Sequence, residues 1–270
     1  MSEQTEQDDA RVAIITGGAS GIGAGAARRL RADGVRVAIV DRDAQGAHRL
    51  ALELSGGALA LAADVTVESE VERYMEATLS AFGRVDHVVL NAGAGSSTPL
   101  IDETLEGFER LIAVNLRSVF LGMRAALRCM RDQGAGGSVV VTCSTAGLGG
   151  SHLAVYSAAK HSCVAFVKTA ALEGAAVGVR VNGIAPGSIQ TPMMSHLEDD
   201  LGGDDWAREA LWATTPLGRH QQRYGTAAEV AALIAFLLGD QSSWITGAVI
   251  PVDGGVLAMD PYRLPERATA

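Results

Sequence analysis

Tyr156 and Lys160 are four positions apart in the run Val-Tyr-Ser-Ala-Ala-Lys (155–160), and these two side chains can transfer protons. On a helix, residues at this spacing share one face, with Cβ atoms about 5–6 Å apart. An ammonium close to a phenol favours the phenolate, so such a pair can exchange a proton with a substrate oxygen near neutral pH. The spacing also arises by chance on solvated helix faces, so the rest of the sequence has to decide.

A glycine-rich turn lies near the start of the chain. The first predicted strand is followed by Thr-Gly-Gly-Ala-Ser-Gly-Ile-Gly (16–23) and then by a helical pattern. Glycines at a strand-to-helix turn let the backbone approach a pyrophosphate that is held by the helix N-terminus. The segment therefore predicts a dinucleotide site, with a turn that serves packing alone as the alternative.

The second predicted strand indicates which dinucleotide. It ends in Asp41, a place from which a carboxylate accepts ribose hydroxyls and repels a 2′-phosphate. Arg42 follows and can pair with that phosphate. Because Asp41 holds the strand end and position 20 is Ser20 rather than a basic residue, the sequence favours NAD over NADP.

Composition limits the class of protein. The chain has 270 residues, of which 48% are hydrophobic and 20% charged, as expected for one large α/β domain. The net charge of −9 argues against a nucleic-acid partner. Cys129, Cys143 and Cys163 lack metal-ligand spacing, which favours reduced thiols. No apolar run is long enough for a membrane span, so we expect a soluble, cytoplasmic protein.

The elements that must position these residues alternate along the chain. Strands are predicted at 12–16, 36–41, 59–62, 85–91, 137–143, 180–186 and 248–252, and helices at 22–32, 68–81, 105–131, 154–174 and 227–239. Nearly continuous apolar strands are covered on both faces, and strand–helix alternation implies right-handed crossovers. We therefore predict a doubly wound, seven-stranded parallel sheet with helices on both faces.

We expect this architecture to form a single domain over 11–260, with a disordered acidic leader (1–10) and a C-terminal tail (261–270). The segment from about 190 to 216 is too long for an ordinary connection in such a fold. We call it the lid segment, because long segments of this kind often cover a site.

Further motifs occur in a specific order. They are Asp64-Val65, Asn91-Ala92-Gly93, Asn115, Ser144, Pro186-Gly187 with Thr191, and Val252-Asp253-Gly254-Gly255. Together with the glycine turn and the Tyr156/Lys160 pair, they make the chain similar to the classical short-chain dehydrogenases/reductases over essentially 11–258.

The resemblance implies roles for four residues. Tyr156 matches the catalytic acid/base, and Lys160 the ammonium that favours its phenolate and binds the nicotinamide ribose. Ser144 resembles the hydroxyl that orients the substrate oxygen, and Asn115 the asparagine that holds a water for proton relay. The family serine usually stands one position earlier, where this chain has Cys143. The residues flanking Ser144 fit better, so Cys143 is assigned to the core.

The resemblance also implies the cofactor and its contacts. C4 of a nicotinamide would exchange hydride with a carbinol carbon, with no metal required, and the six histidines show no ligand spacing. The expected cofactor-binding residues are Gly17, Ser20, Gly21, Ile22, Gly23, Asp41, Arg42, Asp64, Val65, Asn91, Ala92, Gly93, Tyr156, Lys160, Pro186, Gly187, Ile189 and Thr191.

Substrate walls are expected from 94–98, from 147–155 and from the lid segment. The lid segment mixes apolar and acidic side chains, which predicts an apolar or cyclic small-molecule substrate under a solvated acidic surface. The candidate substrate contacts are Ala94, His152, Met193, Met194 and Trp206.

Family members are typically homotetramers built through the two long helices and the last strand. The apolar helix face formed by Val155, Ala159, Cys163, Phe166 and Ala170 suits either such an interface or the core.

The sequence leaves other functions open. An NADPH-dependent 3-oxoacyl or polyketide-type ketoreductase would share every catalytic residue named above. A dinucleotide-binding regulator without turnover is a second class, although it would not need Ser144, Asn115, Tyr156 and Lys160. The glycine spacing disfavours a sugar-nucleotide epimerase of related fold. The leading hypothesis is an NAD(H)-dependent oxidoreductase that acts on a secondary alcohol or its ketone.

Overall fold

The structure is a computed structural model that describes residues 10–259. The expected leader, except for Ala10, and the expected tail lie outside the described residues. Within them, no helix is long and apolar enough to cross a membrane.

Seven parallel strands form one sheet in the order β3-β2-β1-β4-β5-β6-β7. Their bounds are β1 Val12–Thr16, β2 Arg36–Asp41, β3 Ala58–Ala62, β4 His87–Leu90, β5 Gly137–Thr142, β6 Val179–Pro186 and β7 Val249–Val252. The predicted doubly wound sheet is confirmed. Its strand order reverses between β1 and β4, and ligands of open α/β sheets bind at the carboxyl ends of the strands near such a point.

Ten α-helices accompany the strands in the described residues. They are α1 Gly21–Ala32, α2 Ala44–Leu54, α3 Glu68–Phe82, α4 Leu105–Ile112, α5 Ser118–Gln133, α6 Ala154–Ala175, α7 Pro192–Asp200, α8 Asp205–Trp212, α9 Pro216–Gln221 and α10 Ala227–Leu238. Helix α2 was not among the elements predicted from the sequence. Its N-cap is Asp43, whose carboxylate accepts from Gly46 N at 2.9 Å.

Helices pack on both faces of the sheet because strand side chains alternate in direction. Ile14 of β1 lies in the cluster that also contains residues of α3, α5 and α6. The next residue, Ile15, lies in the cluster with residues of α1, α2 and α10. Both isoleucines are fully buried, so the sheet is covered on both sides as the apolar strands predicted.

The predicted helix 105–131 is not one regular helix. A π-helical turn at Ala113–Arg117 separates α4 from α5 and places Asn115 in its middle. Strand β4 is shorter than the predicted 85–91, because backbone N–H groups at its ends donate to side-chain oxygens instead of to a neighbouring strand. Val85 N donates to Gln133 Oε1 at 2.8 Å, and Asn91 N donates to Thr16 Oγ1 at 3.0 Å.

The lid segment contains α7 and α8, and α9 continues beyond it to Gln221. Each helix begins at a side-chain cap: Thr191, Asp204 and Thr215 accept hydrogen bonds from backbone N–H groups in the first turns. The segment is therefore regular structure that lies over the carboxyl ends of the strands.

Candidate active site

A cavity of about 850 Å³ lies at the carboxyl ends of the strands, where the strand order reverses. Its walls include residues that follow β1, β2, β4, β5 and β6 together with residues of α7. A volume of this size is typical of small-molecule and cofactor sites.

The glycine turn forms the floor of the cavity beside the N-terminus of α1. Gly17 and Gly21 have φ values of 62° and 51°, a region that favours glycine. A Cβ at Gly23 would lie 2.1 Å from the Gly17 carbonyl oxygen. Gly23 itself does not line the cavity, so its role is to let the turn fold tightly. The exposed N-terminus of α1 suits a pyrophosphate.

Asn91 joins the ends of three strands. Its Nδ2 donates to the carbonyls of Thr16 and Gly17 at 3.2 and 3.1 Å, and its Oδ1 accepts from Thr142 Oγ1 at 3.1 Å. Ala92 and Gly93 follow it along the cavity wall. This residue therefore holds the glycine turn against β4 and β5.

Asp41 lies on the cavity wall at the end of β2. Its two carboxylate oxygens accept from Ala19 N and Asp43 N, each at 3.0 Å. A carboxylate has about four lone-pair sites, so acceptor capacity remains on both oxygens. Arg42 also lines the cavity and is exposed.

Asp64 and Val65 lie on the same wall as Asp41. The hydroxyl and backbone N–H of Thr66 donate to Asp64 at 2.7 and 2.9 Å, which lowers the pKa of that carboxyl, with a further contribution from the charge of Arg42. The adenosine end predicted from the sequence therefore carries a fixed negative charge on Asp64.

The segment after β6 closes the opposite side of the cavity. Pro186, Gly187, Ile189 and Thr191 all line it. A Cβ at Gly187 would lie 2.9 Å from Asp253 Cα, so the Val252-Asp253-Gly254-Gly255 motif packs directly against this turn. The Thr191 side chain packs on Gly21, with its Cγ2 3.1 Å from a Cβ built there.

Tyr156 and Lys160 lie in the first two turns of α6 and both line the cavity. Lys160 is 2% exposed, and its Nζ donates to Thr142 O at 2.9 Å. The ammonium lies 5.5 Å from the centroid of the Tyr156 ring. Its remaining N–H donors face the region near Gly93, where a Cβ would lie 3.5 Å from Nζ. A buried ammonium with spare donors can bind hydroxyl groups of a ligand.

Ser144 and Cys143 differ in where their side chains lie. Cys143 Sγ packs toward β6, 3.1 Å from a Cβ built at Gly183, and Cys143 belongs to the buried core. Burial raises the pKa of Cys143 to about 12, so the thiol stays protonated. Both residues line the cavity, but Ser144 is 9% exposed against 1% for Cys143, and Ser144 Oγ accepts from Ala146 N at 3.2 Å. This arrangement supports the choice of Ser144.

Asn115 lies behind the cavity wall rather than on it. Its Nδ2 donates to Ala94 O at 2.8 Å and to Leu111 O at 3.0 Å, and its Oδ1 accepts from Ala94 N at 3.2 Å. The side chain is fully buried. Because the amide is committed to these backbone groups, it holds the Ala94 wall in place.

Three of the five predicted substrate contacts line the cavity: Ala94, Met193 and Met194. His152 and Trp206 do not line it, and their contact with substrate stays a prediction. Trp206 is 66% exposed, because in the first turn of α8 the buried residue is its neighbour Ala207.

His152 lies on an exposed loop, and the residues on both sides of it form the wall instead. The cavity wall also includes residues from α4 and the π turn that were not predicted from the sequence, namely Arg110, Ala113 and Val114. Their closeness to Asn115 along the chain was the feature of the sequence from which they could have been predicted.

Together, the glycine cradle, the free carboxylate sites of Asp41 and the spare donors of Lys160 fit a bound nicotinamide dinucleotide. Across the described part of the chain, no group of three or more His, Cys, Asp or Glu side chains is placed to hold a metal ion. The fold and the site define a dinucleotide-dependent oxidoreductase.

The comparison with known proteins agrees with that class. The family described as enoyl-(acyl carrier protein) reductase matches residues 17–257. The chain belongs to the short-chain dehydrogenase/reductase family, whose members bind a nicotinamide dinucleotide and act on alcohols and ketones.

Two relatives and one solved structure cover nearly all of the chain. Levodione reductase of Leifsonia aquatica is 39% identical, over 94% of this chain and 97% of that protein. A levodione reductase crystal structure aligns with a TM-score of 0.87 and 39% identity, over 93% of this chain and 98% of that one. Cis-4-hydroxycyclohexanecarboxylate dehydrogenase of Sinomonas cyclohexanicum is 38% identical, over 92% of this chain and 97% of that protein.

A further solved structure contains a cofactor. The 3-ketoacyl-(acyl-carrier-protein) reductase from Brucella melitensis, in complex with NADH, aligns with a TM-score of 0.82 and 36% identity, over 92% of this chain and 99% of that one.

Proposed function

We propose that the protein is an NAD(H)-dependent oxidoreductase that interconverts a secondary alcohol on an apolar ring and the corresponding ketone. The observation that carries this proposal is that Ser144, Tyr156 and Lys160 line the same cavity as the glycine turn and Asp41. A proton-transfer group and a dinucleotide cradle thus share one enclosure, as hydride transfer to or from a carbinol carbon requires.

Each catalytic side chain has one task in this proposal. Ser144 Oγ donates a hydrogen bond that orients the substrate oxygen. Tyr156 Oη delivers the proton to that oxygen in reduction and removes it in oxidation. Lys160 binds ribose hydroxyls with the donors that Thr142 leaves free. Asn115 holds the Ala94 wall. The dinucleotide, when bound, supplies hydride donation and acceptance.

NAD is the proposed dinucleotide because Asp41 lines the cavity with acceptor capacity on both oxygens. A 2′-phosphate at this place would lie against a carboxylate, at a cost that Arg42 only partly offsets. Binding of NADH and NADPH, compared by fluorescence titration, tests this part of the proposal. Equal affinities would contradict it.

A ring substrate is supported by two observations. The substrate end of the cavity includes Ala94, Met193, Met194 and Leu197, which are small or apolar, beside the charged Arg110 and Asp200. One of the relatives carries the name of a ring compound, cis-4-hydroxycyclohexanecarboxylate. Flexible methionines can pack against the two faces of a ring.

The experiment that tests the function follows NADH absorbance with a panel of cyclic secondary alcohols and cyclic ketones. Reversible turnover of ring substrates, and its loss in Tyr156→Phe, is the expected result. If Tyr156→Phe leaves a cellular role intact and no panel compound is turned over, a dinucleotide-binding regulator is the better description.

A ketoreductase of 3-oxoacyl or polyketide-type substrates with NADPH is the second candidate, supported by the likeness to the Brucella melitensis structure. An acyl carrier is acidic, and the cavity mouth carries Asp200. Like charges would weaken that docking. Turnover of a 3-oxoacyl thioester above that of every ring compound would favour this candidate.

A homotetramer is the proposed assembly. Val155, Ala159, Cys163 and Ala170 are buried in the core of one chain, which leaves Phe166 as the member of that helix face available outside it. Phe166 lies 6.2 Å from Phe120, ring centroid to ring centroid, in a groove of about 420 Å³ between α5 and α6. Light scattering after size exclusion measures the mass, and a monomer would contradict the proposal.

A further inference from the structure

The π turn at Ala113–Arg117 receives hydrogen bonds from side chains as well as from the backbone. In this turn Ser118 N bonds to Ala113 O, five residues back, so the regular four-residue pattern is interrupted. Two side chains donate to carbonyls in the turn. The Ser118 hydroxyl donates to Val114 O, and Cys163 Sγ donates to Asn115 O at 3.2 Å. A buried carbonyl without a donor would be costly.

The Cys163 contact connects two distant parts of the chain. Cys163 belongs to α6, three residues after Lys160, and is fully buried. Its acceptor, Asn115, holds Ala94 through hydrogen bonds to both the N–H and the carbonyl of that residue. The thiol therefore joins the helix of Tyr156 and Lys160 to the turn that supports the Ala94 wall.

The thiol is suited to donate in this place. Burial raises the pKa of Cys163, so the sulfur keeps its proton and points it at a carbonyl. The charged or titratable groups near it are Lys160, which opposes the rise, and the thiol of Cys143. A thiol is a weak hydrogen-bond donor. Its hydrogen bond therefore has to be distinguished from its packing by variants that keep or remove the donor.

We propose that Cys163 is a positioning residue, whose thiol hydrogen bond to the Asn115 carbonyl holds the Ala94 wall of the cavity in register with Tyr156 and Lys160. The proposal rests on the function given above only for its effect on turnover. Its effect on the wall exists with or without a known substrate.

Two variants separate the hydrogen bond from side-chain volume. Cys163→Ala removes the donor, whereas Cys163→Ser keeps a donor in a side chain of similar small size. Cys129→Ala is the matched control, because Cys129 is half-buried and its Sγ contacts Gln133 Oε1 at 3.6 Å, away from the cavity wall. If Cys163→Ala does not fold, Cys163→Val and Cys163→Thr form a second pair that differs in the same way.

The first readout is amide hydrogen exchange, measured by mass spectrometry on peptides that cover 90–98. Ala94 N donates to Asn115 Oδ1, so loosening the turn exposes this amide. Exchange there is expected to rise about fivefold or more in Cys163→Ala or Cys163→Val, and to stay at the wild-type rate in Cys163→Ser, Cys163→Thr and Cys129→Ala. Equal exchange in donor and non-donor variants would overturn the proposal.

The second readout is the split between kcat and KM with the best substrate of the panel. The donor-free variants are expected to lose about tenfold in kcat, with NADH affinity within about twofold of wild type, and the hydroxyl variants to regain most of the loss. A loss that follows thermal stability instead of the presence of a donor contradicts positioning. If no panel compound is turned over by the wild type, the proposed function fails while the exchange measurement still decides the role of Cys163.

Discussion

The Lys160 ammonium lies 5.5 Å from the centroid of the Tyr156 ring, and burial of Lys160 to 2% exposure fixes this relationship inside the protein. The two side chains share one face of α6, and Thr142 O accepts from Nζ at 2.9 Å. No carboxylate forms an ion pair with this ammonium within residues 10–259.

Replacing Tyr156 with phenylalanine removes the hydroxyl that we propose transfers the proton and leaves the ring that packs beside Lys160. We expect kcat to fall about 10³-fold, the range of positioned acid–base groups, while NADH binding persists. Stopped-flow absorbance and fluorescence titration measure the two quantities. Tyr224→Phe is the control, since Tyr224 Oη donates to Arg208 O at 3.3 Å outside the cavity. Comparable losses in both variants would argue against the assignment.

The charge of Asp41 is expected to set the cofactor preference. Asp41→Asn removes the charge and keeps an oxygen that can accept from Ala19 N. We expect the ratio of kcat/KM for NADP to that for NAD to rise about tenfold or more, because repulsion of the 2′-phosphate is lost. Asp132→Asn changes an exposed acid on α5 by the same charge and serves as control. An unchanged ratio in Asp41→Asn would remove the basis for preferring NAD.

Gly23 tests the shape of the dinucleotide turn. In Gly23→Ala the new Cβ would lie 2.1 Å from Gly17 O and 2.8 Å from Asn91 Nδ2, so the backbone has to shift. We expect a loss of about 1–3 kcal/mol in unfolding free energy, and NADH affinity at least about tenfold weaker. The matched variant Gly56→Ala places its Cβ where nothing lies within 4 Å. It should behave as wild type in urea unfolding and in titration; full NADH affinity in Gly23→Ala would refute the tight-turn argument.

His87 makes stability depend on pH. Burial lowers its pKa to about 4, with Arg11 and Arg180 acting in the same direction and Asp86 and Asp240 opposing. The unfolded chain binds the proton near pH ~6.5, above the folded value. The contribution of neutral His87 to the unfolding free energy is therefore fully present above about pH 6.5. About 3 kcal/mol of it is lost as the pH falls from there to about 4.

Urea unfolding of His87→Leu and wild type at several values between pH 7 and pH 4 checks this expectation. The wild type should lose stability more steeply with falling pH than His87→Leu. His48→Leu, at an exposed histidine, should keep the wild-type slope. If the unfolding free energies of wild type and His87→Leu fall in parallel with pH, another group controls the loss of stability in acid.

Several features follow from local sequence alone. Apolar runs and their alternation with helical patterns predicted the seven parallel strands, because side-chain period and burial on both faces are local properties. The i, i+4 spacing of Tyr156 and Lys160 placed them on one helix face for the same reason. The glycines of 17–23 predicted a turn that only residues without Cβ adopt, and the Gly17 and Gly21 φ values agree.

Other features depended on contacts between segments far apart in the chain. Only packing against β6 decided that the Cys143 thiol turns inward, although Cys143 and Ser144 both line the cavity. The π turn, and the commitment of the Asn115 amide to Ala94, arise where α4, β4 and α6 meet, which no local period records. Trp206 was a candidate because its side chain is apolar, and His152 because its side chain is polar. The position of Trp206 on its helix and the path of the loop that carries His152 leave both residues outside the cavity lining. The sequence alone thus determined which residues can do the chemistry. The tertiary structure decided which of them reach the cavity, because the direction of a side chain depends on the residues that pack against it.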